Sequence, residues 1–214
     1  MVKFSKIEVR DLFKAWLIIS LAFGIVLSGG VFGWALLETI ILSAITVGIA
    51  FLLHEMGHKY FAQKYGCFAE FRADNYMLFL AMITSFFGIV FAAPGAVIIL
   101  GRVTKAKYGK IALAGPMMHI FLMLIASFFN DLGLFDTFIF VNAMLALFYM
   151  IPIHNLDGAK ILLGSPVLYL TSLVFMVSFV ILAYFLSPIP LVIITGLASL
   201  TVGALFYYHV YFKG

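Results

Sequence analysis

Residues 39–58 read TIILSAITVGIAFLLHEMGH, an uncharged run that leads directly into His54-Glu55-Met56-Gly57-His58. An apolar run of this kind signals a membrane helix. Two histidines four apart on a helix are separated by about 40° of rotation and one turn of rise, so their imidazoles point the same way and can share one metal ion. Glu55 lies about 100° around from His54, within reach of the water such a metal activates, which is the general-base position of an H-E-x-x-H pattern. The bland alternative is two surface histidines flanking a glutamate, and it suits a soluble helix. Here a 1.5 Å rise puts the pentad about 22 Å along an uncharged helix, inside or just beneath the far headgroup layer. Ionisable groups at that depth are expensive and mark function.

Composition extends the membrane reading to the whole chain. The 214 residues are 65% hydrophobic and 10% charged, with mean hydropathy +1.18, which excludes a water-soluble domain. At roughly 20 apolar residues per span there is room for six or seven spans and no separate soluble domain. A single membrane-embedded domain over residues 1–214 is expected, with its core at about 39–160. Cys67 is alone, so it offers neither an internal disulfide nor a cysteine metal site. The basic stretch Met1 to Lys14 precedes an apolar run without a small-residue cleavage pattern, so a retained first span is expected rather than a signal peptide. The formal charge of +4 is better spent on orienting the chain than on nucleic acid.

Ala15 to Leu37 and Thr39 to Leu53 are expected as helices one and two. Asn75 to Gly101 is uncharged and is followed by Arg102, Lys105, Lys107 and Lys110. Ile111 to Phe129 and Thr137 to Ile153 follow, and Ile161 to Tyr208 is broken by a turn at Ser187-Pro188-Ile189-Pro190. If Asn75 to Gly101 enters and leaves on one side, all 13 lysines and arginines fall on the cytoplasmic side, while Glu38, Asp131 and Asp136 lie outside. A full crossing would move four basic residues, Arg102 to Lys110, outside. The expected fold is therefore an all-α polytopic membrane protein with six transmembrane helices and a re-entrant membrane-associated segment between helices two and three. Gly88 and Ala93-Pro94-Gly95 supply the breakers for that segment. Both termini and the active site then face the cytoplasm.

A catalytic zinc takes three protein ligands and leaves one position open. Beyond His54 and His58 the candidates are Asp157, His154, His119 and His209. Asp157 follows an apolar helix in Ile151-Pro152-Ile153-His154-Asn155-Leu156-Asp157-Gly158, and in the six-span arrangement that end faces the same side as the histidine pair. It is the favoured ligand, with His154 as its main rival and a turn or helix-cap aspartate as the plain alternative. His209, among Tyr207, Tyr208 and Tyr211, reads as part of an interfacial aromatic belt.

On the pentad His54 to His58, on Gly115-Pro116 opening the next helix, and on Leu156-Asp157-Gly158, the chain resembles the site-2 proteases, a family of intramembrane zinc metalloproteases, in a compact archaeal or bacterial form. The resemblance implies Zn2+ held by His54, His58 and Asp157, with Glu55 as catalytic base. It also implies a membrane-associated sheet or loop where Asn75 to Gly101 lies. Tyr149 stands three residues before Pro152, where many members carry an asparagine thought to help hold the substrate carbonyl. Its hydroxyl can donate a hydrogen bond in that role. Ala159-Lys160 replaces a further glycine, an exchange expected to touch local backbone more than chemistry. Asn142 is expected as an interhelical hydrogen-bonding residue and His119 as a buried polar contact near the site.

The expected activity is hydrolysis of peptide bonds within or near transmembrane helices of membrane-protein substrates. Those substrates and the lipid bilayer are the expected partners, and nucleic acid is not; the sequence does not fix an oligomeric state. Two other readings stand beside it: a catalytically inactive zinc-containing membrane binding protein, and a metal or proton transporter. Intact Glu55 opposes the first. The lack of paired pseudo-symmetric halves opposes the second.

Overall fold

The computed structural model describes residues 3–30, 33–90, 94–130, 132–153 and 156–212, with side chains described as far as residue 208. The chain divides into two compact units, Met1–Arg102 and Val103–Gly214.

In the first unit α1 runs Lys6–Leu27, started by Ser5, whose hydroxyl accepts the Glu8 N–H. It ends earlier than the expected Leu37, because Gly29 and Gly30 take φ of +61° and +77°, values that glycine adopts at no steric cost. Glu38, expected in an outer loop, instead lies exposed on α2 (Trp34–Ser43). A π-helical turn at Ala44–Gly48 joins α2 to α3 (Ile49–Lys64), so one helical rod spans Trp34–Lys64. After it come β1 (Phe68–Ala73), α4 (Asn75–Ser85) and β2 (Gly95–Leu100).

The strands pair antiparallel, Phe68 opposite Leu100 and Ala73 opposite Gly95. This corrects the all-α expectation: the far end of Asn75–Gly101 is a strand, and its partner precedes that segment. Gly88 does break the chain as expected, with φ of +79°. Gly95 is required by packing, since a Cβ there would stand 2.3 Å from the Arg72 carbonyl oxygen. Ala15, Ile19, Ala22, Val47, Ala50, Phe51, Phe71 and Leu78 form the buried apolar centre of this unit.

The second unit holds α5 (Lys105–Phe128), α6 (Asp136–Tyr149), α7 (Asp157–Gly164), α8 (Pro166–Leu182) and α9 (Pro188–Phe212). Helix α5 starts at the Thr104 cap, whose hydroxyl accepts the Lys107 N–H at 3.3 Å, so the basic residues occupy its first turns. Pro116 therefore lies inside α5 rather than opening a helix, and it removes the N–H that the Ala112 carbonyl would receive. Helix α9 begins at Pro188, as the proline pair predicts. The core joins Ile120 and Met123 of α5, Ala143 and Ala146 of α6, Ile161 of α7 and Phe179 of α8.

Trp34–Lys64, Lys105–Phe128 and Pro188–Tyr208 are long and apolar enough to cross a bilayer, which points to a membrane protein.

Candidate metal centre

His54, Glu55 and His58 lie on α3 and are buried, at 1%, 5% and 8% exposure. The four-residue spacing does what helical geometry requires. The two Nε2 atoms approach to 3.0 Å and the rings cross at 86°. Zinc takes imidazole nitrogens at about 2.0–2.1 Å, so two buried nitrogens this close suit one shared ion. Glu55 lies between them in sequence on the same buried helix surface.

In the second unit Asp157 is the first residue of α7 and is buried at 3% exposure. A carboxylate in the first turn is favoured by the helix dipole. Lys160, of the pair Ala159-Lys160, lies 3.0 Å from its Oδ1 and so touches the candidate ligand directly. The exchange is expected to touch local backbone more than chemistry, and this ion pair adds a side-chain contact to it. A Cβ on Gly158 would stand 2.2 Å from the Met150 carbonyl oxygen, so glycine is what lets α7 start against the end of α6. The neighbouring rival His154 lies outside the described residues, as does the side chain of His209.

His119 on α5 and Asn142 on α6 are both fully buried, and His119 Nδ1 lies 3.0 Å from Asn142 Oδ1. Asn142 Nδ2 donates to the Phe138 carbonyl at 2.9 Å, which turns the amide oxygen toward the histidine. His119 Nδ1 therefore carries the proton of this bond. The Tyr149 ring stacks on His119 with 5.6 Å between centroids and 9° between planes. The three secondary candidates thus form one cluster on α5 and α6, running from Asn142 in the middle of α6 to Tyr149 at the end against which Gly158 packs.

Sequence reasoning missed a set of charges in the first unit. Lys59, directly after His58, is fully buried and ion-paired with Glu8 of α1. Glu70 of β1 accepts from the Ser5 hydroxyl and pairs with Arg72 at 2.6 Å, and these two contacts hold its carboxyl below the ordinary value of 4.5. The available signal was a lysine inside a helix whose other face is apolar, and two acids, Glu8 and Asp11, three apart on α1.

No family model and no solved structure matches the chain. Two proteins of Methanocaldococcus jannaschii do. One, provisionally named zinc metalloprotease MJ0611, is 40% identical over 141 residues, covering 60% of this chain and 73% of that protein. The chain belongs to the site-2 protease-like family of zinc metalloproteases. A more distant relative, named zinc metalloprotease MJ0392, is 27% identical over 164 residues; the match takes in 73% of this chain and 41% of that longer protein. In this zinc metalloprotease the first unit therefore presents two buried imidazoles, His54 and His58, and the second a buried carboxylate, Asp157, each of a type that zinc accepts.

Proposed function

We propose that the chain is an intramembrane zinc endopeptidase that cuts peptide bonds within or near transmembrane helices of membrane proteins. Family membership supports the zinc metalloprotease chemistry and Zn2+ as cofactor. The observation that carries the rest is the buried His54/His58 pair, with Nε2 atoms 3.0 Å apart, on a helix apolar enough to span the bilayer. His54, His58 and Asp157 are the proposed zinc ligands. Zinc, when bound, supplies a Lewis acid that acidifies a water molecule and polarises the scissile carbonyl.

Glu55 takes the proton from the attacking water on its carboxylate and hands it to the leaving amine. Burial helps here, because a carboxylate shielded from bulk water keeps the proton for the return step. The Tyr149 hydroxyl is the proposed hydrogen-bond donor to the substrate carbonyl, with His119 and Asn142 behind it. A helical substrate must unwind first, since its carbonyl is otherwise committed to an intrahelical hydrogen bond. Six spans, cytoplasmic termini, a membrane-associated α4–β2 segment and a single functional domain complete the proposed arrangement. The shorter apolar helices Asn75–Ser85, Asp136–Tyr149 and Pro166–Leu182 lend it the additional membrane-embedded elements.

The test uses purified full-length chain in lipid with a synthetic transmembrane peptide. Glu55→Gln keeps the shape of the side chain and loses the base, so it is expected to retain zinc while cleavage falls about a hundredfold or more. Cleavage by Glu55→Gln at the wild-type rate would defeat the proposed base. A wild type that binds zinc and cuts no peptide would favour the inactive binding protein.

A further inference from the structure

Glu8 has no exposed surface, and its two carboxylate oxygens hold two different elements. Oε1 accepts the backbone N–H of Phe71 in β1 at 2.9 Å. Oε2 accepts from Lys59 of α3, the residue that follows the proposed ligand His58. The Lys59 ammonium also lies 4.4 Å from the centre of the Phe4 ring. One turn further along α1, Asp11 Oδ2 accepts the Ala73 N–H at 3.4 Å.

Phe71 and Ala73 are two apart on a strand, so their N–H groups point to the same edge. That edge would otherwise be bare, because β2 occupies the opposite side of β1. The two carboxylates of α1 take the place of a third strand there. A fully desolvated ion pair is costly to form and contributes little net stability, yet it fixes where its partners sit.

We propose that Glu8 is a positioning residue for the zinc site: by bridging the Phe71 N–H and Lys59 it locks β1 to the helix that carries His54, Glu55 and His58, so residues 4–11 act as a clip that sets the register of that helix. The proposal rests on the zinc metalloprotease reading. The sheet and the ligand helix then move as one body, and releasing the clip alters metal binding without melting the fold. A local reporter is built in. Cys67, the single cysteine of the chain, lines a cavity of about 470 Å³ together with Phe4, Ser5, Glu8 and Glu70.

The experiment compares full-length wild type, Glu8→Gln, Lys59→Met and the double variant in lipid nanodiscs. Zinc affinity is read by chelator competition, unfolding by thermal midpoint, and clip opening by the rate of Cys67 thiol labelling with and without zinc. Glu8→Gln is expected to weaken zinc binding about tenfold or more, as outer-shell changes do, and to speed Cys67 labelling about fivefold or more. In the double variant no buried charge is left unpaired, so the thermal midpoint should recover while zinc affinity stays low. Zinc affinity within about twofold of wild type in Glu8→Gln, or its recovery in step with the midpoint in the double variant, would overturn the positioning role. If Glu8→Gln does not fold, Phe4→Leu removes only the ring beside the ammonium. It should weaken zinc binding and speed labelling about threefold, and no change in either would count against the clip. A wild type that binds no zinc defeats the metalloprotease reading instead, and the clip is then judged on Cys67 labelling alone.

Discussion

Several of the side chains that matter most are held by contacts that leave them one orientation. Asn142 donates to the Phe138 carbonyl, presents its oxygen to His119 and so fixes which ring nitrogen carries the proton; the His119 ring in turn sets the plane of Tyr149. Glu70 shows the same logic with a charge. The Ser5 hydroxyl, then Arg72, stabilise its ionised form and lower its pKa from the ordinary 4.5. A carboxyl with a depressed folded-state pKa contributes stability that is fully present above the unfolded-state value and is lost as pH falls through the folded-state one. Thermal midpoints measured from about pH 6 down to about pH 3 should therefore drop in wild type once the pH passes below 4.5, and drop less in Glu70→Gln. Parallel acid limbs for the two proteins would mean that the Ser5 and Arg72 contacts do not act on Glu70 in solution.

The π-turn at Ala44–Gly48 has a comparable role one level up. A π-turn carries one extra residue, and each residue of helix advances about 100°, so everything after it, the metal-binding face included, is turned relative to α2. Side chains take carbonyls of the widened region: Trp16 donates to Ala44 at 3.2 Å and Thr46 to Leu42 at 2.8 Å. Gly48 makes room for the indole, because a Cβ there would meet its Nε1 at 2.5 Å. Trp16→Phe keeps the packing and removes the N–H, so it should cost about 1 kcal/mol in denaturant unfolding; an unchanged midpoint would show the indole bond to be dispensable. None of this is legible in the sequence, where residues 39–53 read as one uninterrupted helix. The pentad was legible because helical spacing alone brings its two imidazoles together. The strand Phe68–Ala73 was hidden because Glu70, on the face opposite Phe71, is buried as well and blurs the alternation, and because its outer edge is satisfied by acids 63 and 62 residues away in sequence, Glu8 and Asp11, which no local period reveals. Helix ends shifted wherever a charge was taken as a boundary, as at Glu38 and the basic start of α5, since an exposed charge sits on a helix as readily as beside it.

At the scale of the whole molecule, the apolar composition is spent on helices that suit a bilayer, and among the described residues the buried charges lie on α1, α3 and β1 in the first unit and at Asp157 in the second. That distribution is what a membrane enzyme requires, because ionisable groups are kept from lipid except where chemistry or positioning uses them. It also separates the protease reading from a transporter. A conduction path would string such groups along the membrane normal in two related halves, whereas here they gather on α3 with its clip and at the start of α7. The most direct measurement is zinc per chain in purified wild type, His54→Ala and Asp157→Ala, each checked for helicity. About one zinc in wild type, lost or sharply reduced in both variants, is the result predicted for a three-ligand site; full zinc in folded Asp157→Ala would contradict the ligand assignment, and well-folded wild type without zinc would contradict the metalloprotease itself.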